Sequence, residues 1–152
     1  MKVLVDTPIW SFAFRRSSNV ENACPKTIVE ELIELIREDR AVLIGPVRQE
    51  VLSGISNQKQ FDLLREKLKP FEGITITSGD YELAADFNNQ CRRKGIQGSH
   101  IDFLICAVAS RNVIPIFTTD NDFSLYAKHI DIILYVPRDS GQVLQEKHTD
   151  EG

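Results

Sequence analysis

The chain has 152 residues, of which 42% are hydrophobic and 26% are charged, and its net charge is −4. This composition predicts one globular domain with a sizeable core and excludes a disordered or low-complexity chain. No apolar run approaches the roughly 18 residues of a membrane-spanning helix, and the opening MKVLVDTPIW turns polar too early for a signal peptide. Cys24, Cys91 and Cys106 are odd in number and far apart, which favours a reducing compartment. We therefore expect a cytoplasmic protein.

Five short, almost continuous apolar runs alternate with helical patterns along the chain. The predicted strands are Lys2–Val5, Ala41–Ile44, Ile74–Thr77, Val113–Thr118 and Ile132–Val136. The predicted helices are Pro25–Glu38, Pro46–Gly54, Gln58–Leu68, Tyr81–Lys94, Ser99–Arg111 and a short helix after Asp122. Continuous apolar strands are typical of a parallel sheet buried on both faces, so the alternation predicts an α/β sandwich. We expect this domain to span residues 1–137 and a polar tail to follow over 138–152.

Four acidic residues stand where predicted strands end or predicted helices begin. Asp6 and Asp120 follow the first and fourth strands, and Glu50 lies one turn into the helix after the second strand. Asp102 lies in the first turn of the fifth helix. Because ligands of parallel α/β sheets bind beyond the carboxyl ends of the strands, these four side chains could meet at one edge of the sheet.

Each acid also has an ordinary structural explanation. Asp6 suits a turn, Glu50 suits a solvated helix face, and Asp120 suits the start of a short helix. Asp102 follows Ser99 by three residues, which is the spacing of a helix cap. These explanations weaken when the acids are taken together, because all four fall at the same edge of the predicted sheet.

A cluster of four carboxylates predicts a cation. Two carboxylates ~5 Å apart repel by about 3 kcal/mol at an effective dielectric constant of about 20. Oxygen ligands of this kind select Mg²⁺ or Mn²⁺, and Mg²⁺ commonly completes its coordination with substrate phosphate. The chemistry that this pattern indicates is metal-assisted hydrolysis of a phosphodiester.

Four sequence motifs carry these acids, in a fixed order, over residues 4–123. They read VLVDTPIW, RQEVLSG, HIDFLICAVA and IFTTDNDF. Together they resemble the motifs of the PIN-domain family, and most of all those of VapC-type ribonuclease toxins from toxin–antitoxin modules. The resemblance implies a three-layer α/β/α sandwich around a five-strand, mainly parallel sheet.

The resemblance also implies roles for individual residues. The catalytic metal ligands would be Asp6, Glu50, Asp102 and Asp120, binding Mg²⁺ or Mn²⁺. Asp122 matches a position of a supporting metal ligand, Thr118 matches a hydroxyl residue that steadies the site, and Thr7 is a further supporting donor. Two residues depart from the family pattern: Pro8 replaces a small polar residue and Thr119 replaces a common basic one.

The function implied by the resemblance is that of an endoribonuclease toxin. A metal-activated water would hydrolyse RNA to 5′-phosphate and 3′-hydroxyl ends, a small antitoxin protein would block the site, and the chain would form a homodimer. Two alternatives remain: a PIN-like nuclease that matures RNA or cuts DNA without an antitoxin, and a non-catalytic PIN module that binds RNA or protein. A phosphatase of the Asp-x-Asp type fits less well, because Pro8 stands where its second Asp is needed.

The remaining polar and aromatic groups allow two interpretations. The basic residues Arg15, Arg16, Arg92, Arg93 and Lys94 are candidates for RNA phosphate contacts, or cations of ordinary helix ends. Trp10, Phe12 and Phe14 belong to the core or line a dimer or antitoxin groove. The three histidines share no ligand spacing, so we expect them to be non-catalytic. No glycine-rich phosphate loop occurs, so we expect no nucleotide cofactor.

Overall fold

The computed structural model describes residues 1–14, 26–71 and 73–138. Its strands are β1 (Val3–Val5), β2 (Ala41–Val42) and β3 (Ile116–Phe117). Its helices are α1 (Thr7–Phe14), α2 (Lys26–Arg37), α3 (Gly45–Leu52), α4 (Gln58–Leu68), α5 (Ser78–Arg93), α6 (His100–Asn112) and α7 (Asp122–Tyr126), with a 3₁₀ turn at Lys69–Phe71. The predictions for Arg15, Arg16, Cys24 and the tail beyond 138 lie outside the described residues.

The sheet is parallel, with β1 in the centre between β2 and β3. Leu4 pairs with Val42 on one side and with Ile116 on the other. All three residues of β1 are completely buried although successive side chains point to opposite faces. Both faces of the sheet are therefore covered, as the predicted sandwich requires.

The prediction of five strands is wrong for the described residues, which form three. Ile74–Thr77 is not a strand, because its backbone groups form hydrogen bonds with side chains instead of with a neighbouring strand. The Thr75 carbonyl accepts a hydrogen bond from Arg111 Nη2 at 3.1 Å, and the Thr77 N–H donates to the Asp80 carboxylate at 2.8 Å. The segment Ile132–Val136 contributes a single parallel bridge between Leu134 and Ile116.

Two further predicted strands are shorter than expected because residues at their ends serve as caps of neighbouring helices. Val113 adopts a left-handed conformation (φ 53°) as the C-cap of α6, and the Ile114 N–H still bonds to the Ala109 carbonyl at 3.0 Å. At β2, Ile44 is buried as expected but is the N-cap residue of α3. In these two runs residues 42–44 and 114–117 are buried as predicted, whereas Val113 is 71% exposed.

α5 and α6 are joined by an ion pair between buried Asp80 and Arg111. The side chain of Asp80 also completes a capping box with Thr77, and this cap starts α5 three residues before the predicted Tyr81. Two nitrogens of Arg111 donate to the two oxygens of Asp80. Burial opposes ionisation of Asp80, yet the Arg111 hydrogen bond outweighs it and lowers the pKa of that carboxyl.

The aromatic residues of α1 contribute to the core. Trp10 is completely buried, its Nε1 donates to the Val5 carbonyl at 3.0 Å, and its ring centroid lies 5.0 Å from that of Phe71. Phe12 and Phe14 are half-buried. The core interpretation therefore holds for Trp10.

Cys91 and Cys106 are buried free thiols. Within the described ranges, no helix is both long and apolar enough to cross a membrane.

Candidate active site

Asp6 lies at the carboxyl end of the central strand. Its N–H donates to the Phe117 carbonyl at 2.9 Å, so it continues the pairing of β1 with β3. One carboxylate oxygen accepts the Thr7 N–H and the other accepts the Thr118 hydroxyl, both at 2.8 Å. Burial, with smaller contributions from the negative charges of Asp102 and Glu50, raises the pKa of Asp6 to about 6, against the lowering effect of its hydrogen bonds.

The loop after β3 folds over this carboxylate. The Thr118 hydroxyl that donates to Asp6 also accepts the Asp120 N–H at 3.0 Å. The Asp120 carboxylate in turn accepts the Asp122 N–H at 2.9 Å. A chain of hydrogen bonds thus fixes Asp120 and the start of α7 beside Asp6.

Glu50 reaches the same place from α3. Its Oε1 accepts the Thr7 hydroxyl at 2.9 Å. Thr7 therefore contacts two of the predicted acids, Glu50 through its hydroxyl and Asp6 through its backbone N–H.

Asp102 joins the group from the first turn of α6. The capping interpretation is correct for its backbone, because the Asp102 N–H donates to Ser99 Oγ at 3.0 Å. Its carboxylate accepts the Tyr126 hydroxyl at 2.9 Å. Burial, and to a smaller extent the charge of Asp120, raises the pKa of Asp102, while hydrogen bonds from Tyr126 and Ser99 oppose that rise.

Electrostatic interactions connect the predicted acids to one another. Asp6 is influenced by Asp102 and Glu50, and Asp102 is influenced by Asp120. The pKa of Tyr126 is raised by burial and by its contact with Asp102, with smaller effects from Asp120 and Asp122. The structure therefore links the five acids that the sequence singled out in pairs, with Asp122 joined to Asp120 through its backbone N–H.

The donor set fits a hard divalent cation, although the side chains as placed do not form a closed ligand shell. Among the described residues, no three His, Cys, Asp or Glu side chains are grouped closely enough to hold an ion. The carboxylate oxygens of Asp6, Glu50 and Asp102 instead accept hydroxyl or backbone hydrogen bonds. Mg²⁺ and Mn²⁺ prefer oxygen ligands, and a divalent cation would offset the repulsion between these negatively charged carboxylates.

Tyr126 and Gly98 were not identified from the sequence. Tyr126 is completely buried on α7, where an aromatic residue ordinarily indicates core packing. Gly98 lies against its ring: an added Cβ would stand 2.8 Å from Tyr126 Cζ and 2.9 Å from Phe103 Cε2. Only the folded chain reveals that this packing places the Tyr126 hydroxyl on Asp102.

The basic candidates within the described residues lie at the end of α5 and are exposed. They are Arg92, Arg93 and Lys94. Their side chains form no ion pair or hydrogen bond with other described residues, so the structure leaves them available to a ligand.

The fold and this edge of the sheet define a PIN domain. The family model of the PIN domain matches residues 3–129, most of the chain, and the protein therefore belongs to the PIN-domain family. Members of this family are nucleases and are generally dependent on divalent metals, which supports a hydrolase activity.

Solved structures with the same fold share little sequence with this chain. FitAcB from Neisseria gonorrhoeae is 20% identical, with a TM-score of 0.66 over 89% of this chain and 97% of that one. VapBC2 from Rickettsia felis, bound to a DNA fragment from their promoter, is 17% identical, with a TM-score of 0.69 over 89% and 98%. FitAB bound to an IR36 DNA fragment is 22% identical, with a TM-score of 0.68 over 89% and 94%. No curated protein sequence matches the chain significantly.

Proposed function

We propose that this protein is a divalent-metal-dependent endoribonuclease of the VapC type, the toxin of a toxin–antitoxin pair. The observation that carries the proposal is that acids from three other segments, Glu50, Asp102 and Asp120, lie near buried Asp6, whose pKa burial and neighbouring negative charge raise to about 6. A structural role alone gives no reason to gather so many like charges, because each additional carboxylate opposes the ionisation of the others.

Four carboxylates would hold the metal: Asp6, Glu50, Asp102 and Asp120. Bound Mg²⁺ or Mn²⁺ supplies Lewis acidity, which makes water nucleophilic and neutralises charge on the scissile phosphate. Thr118 and Thr7 fix the positions of Asp6 and Glu50, and Tyr126 orients Asp102. Asp122 supports the loop that carries Asp120.

Hydrolysis at this site needs no side-chain nucleophile. The oxygen of water forms the new bond to phosphorus, the bond from phosphorus to the 3′ oxygen breaks, and that oxygen leaves with a proton. The products carry 5′-phosphate and 3′-hydroxyl ends, and the RNA 2′-hydroxyl takes no part.

The antitoxin part of the proposal is supported by exposed apolar residues on the early helices. Ile33 on α2 is 40% exposed and Leu63 on α4 is 54% exposed. We expect a small antitoxin to cover a groove around residues 9–14, 28–36 and 51–64, and to place an Arg or Lys on the acids, where a guanidinium pairs well with carboxylates. Similarity to the structures of VapBC2 and FitAB supports such a pair, and a homodimer of the chain is part of the same proposal.

Sequencing of RNA ends tests the activity. Brief expression of the chain should create new 5′-phosphate ends at defined RNA sites, and Asp6→Asn should create none. Purification from the native operon tests the partner: a small protein should copurify and block cleavage. Cleavage of RNA or DNA by a chain recovered without such a protein would favour the alternative, a PIN nuclease without an antitoxin.

A further inference from the structure

Two adjoining pockets lie along α5 and α6, beside the candidate active site. The first has a volume of about 300 Å³ and is mainly apolar, with Tyr81, Phe103 and Leu104 among its lining residues. The second has a volume of about 150 Å³ and is lined mainly by polar groups, including Arg92 and Gln97. Asn88 and His100 line both pockets, so the two form one continuous depression.

The pockets are connected to the acid cluster through shared walls. His100 precedes Asp102 by two residues on α6. Gly98 lines the polar pocket and packs against Tyr126, which holds the Asp102 carboxylate. The ring of Phe103 in the apolar pocket lies 4.9 Å from the ring of Tyr126, centroid to centroid.

The apolar pocket has the chemistry that accepts a nucleobase. Tyr81 stands at its rim with 58% of its surface exposed, and an unstacked base can pack on such a ring. Asn88 Nδ2 donates to Asn89 Oδ1 at 3.3 Å, which leaves Asn88 Oδ1 and Asn89 Nδ2 without partners among the described residues. One free acceptor and one free donor side by side match the edge of a base.

The polar pocket has the chemistry that accepts a phosphate. Arg92 supplies an exposed guanidinium that has no acidic partner among the described residues, and His100 and Gln97 supply further polar groups. In the part of the chain that the structure describes, no Asp or Glu lines this pocket. A chain with net charge −4 and a cluster of carboxylates repels nucleic acid, so a cationic pocket beside the cluster complements the charge of the substrate backbone.

We propose that the two pockets form a nucleotide subsite for the RNA strand, with one base in the apolar pocket and an adjoining phosphate on Arg92. The inference rests on the proposed function and extends it: the subsite holds a nucleotide that flanks the scissile bond. Tyr81, Asn88 and Asn89 then contribute to the choice of cleavage site, and Arg92 to strand affinity.

Binding measured without catalysis tests the subsite. The probe is a labelled ten-nucleotide single-stranded RNA, titrated with the protein in EDTA at several salt concentrations and followed by fluorescence anisotropy. Arg92→Ala should weaken binding several-fold and lower the slope of log K against log salt by about 0.7, the value for one lost phosphate contact on a single strand. Tyr81→Ala should weaken binding on the order of tenfold without changing the slope, since a stacking contact is not ionic.

Two controls make this result specific. Lys67→Ala removes an exposed cation of α4, far from the pockets in the chain, and should leave affinity and slope unchanged. An abasic nucleotide scanned through the RNA should weaken binding to the wild-type protein at one position. That loss should vanish in Tyr81→Ala, because the base and the ring form one contact.

The proposal is overturned if Tyr81→Ala and Arg92→Ala both behave like Lys67→Ala. It is also overturned if the wild type sediments as a dimer, Tyr81→Ala sediments as a monomer and RNA affinity is unchanged, because a second copy of the chain then covers the apolar pocket. RNA cleavage with Mn²⁺ separates this proposal from the general one. If the wild type cleaves RNA and both variants cleave it with the same KM, the subsite is disproved but the nuclease function stands. If the wild type does not cleave RNA, the nuclease function itself is disproved.

Discussion

At the residue scale, Asp6 combines burial, two hydrogen bonds and neighbouring negative charge. Asp6 is only 5% exposed, and this burial is the main reason that its pKa is raised to about 6. Because the pKa of an unfolded Asp is about 3.9, the folded state binds this proton more tightly than the unfolded state does. The contribution of Asp6 to stability is therefore complete below about pH 4 and is lost as pH rises through about 6.

We predict a pH dependence that Asp6→Asn removes. A rise of about two in pKa corresponds to at most about 3 kcal/mol. Between pH 4 and pH 7, the free energy of unfolding of the wild type should fall by up to this amount more than that of Asp6→Asn. Urea unfolding in EDTA measures both values. The same pH dependence in both proteins would mean that Asp6 is not the group held protonated by burial.

A second residue-scale prediction concerns Gly98. A methyl group at this position collides with the rings of Tyr126 and Phe103, both of which are buried. Gly98→Ala should cost about 1–3 kcal/mol of stability and should lower cleavage, because Tyr126 must move away from Asp102. Gly45→Ala is the matched control, since an added Cβ there meets nothing within 4 Å. Wild-type stability and activity of Gly98→Ala would contradict the assigned role of Tyr126.

At the element scale, the Asp80–Arg111 ion pair holds α5 against α6 and thereby shapes both the acid cluster and the pockets. Asp80→Ala removes a capping box and leaves Arg111 without its acidic partner. We expect a loss of about 2–4 kcal/mol, the sum of a lost cap and lost charged hydrogen bonds. Asp86→Ala on the same helix, whose carboxylate bonds only to Gln90 in the described structure, should change stability by less than about 0.5 kcal/mol. Chemical denaturation of both variants compares them, and equal losses would rule out a structural role for the ion pair.

The same elements show how far the sequence predicts the fold. Alternating apolar runs and capped helices were sufficient for the parallel α/β architecture, because burial on both faces leaves a continuous apolar signature. The segment Ile74–Thr77 alternates Ile and Thr, and Arg111 and Asp80 bond to its backbone; no local pattern specifies those distant partners. The length of β3 was overestimated because Val113 is used to end α6.

The candidate site was predictable where it follows strand ends. Asp6 and Asp120 follow strands, and a parallel topology brings such positions to one edge. Tyr126 and the pair of pockets were not predictable, since they depend on how α5, α6 and α7 pack rather than on any motif. Local sequence therefore located the charges, while tertiary packing determines what surrounds them.

At the scale of the whole molecule, the acid cluster links metal binding to stability. An ion that binds only the folded site stabilises it by RT ln(1 + [L]/Kd), about 2.7 kcal/mol at a hundredfold excess over Kd. For a domain of this size we expect Mn²⁺ to raise Tm by about 5–10 °C. Asp102→Asn should shrink this rise, as thermal unfolding with and without Mn²⁺ will show. An equal rise in Tm in both proteins would mean that Asp102 does not bind the metal and serves only in the cap of α6.

The most direct test of the central claim is cleavage of RNA by the purified chain with Mn²⁺, with the ends of the products identified. The wild type and Glu66→Gln, which alters an exposed acid of α4, should cut RNA to 5′-phosphate and 3′-hydroxyl ends. Asp6→Asn should keep its fold by circular dichroism and lose this cleavage. Equal cleavage by the wild type and Asp6→Asn, or product ends with a 2′,3′-cyclic phosphate, would contradict the account.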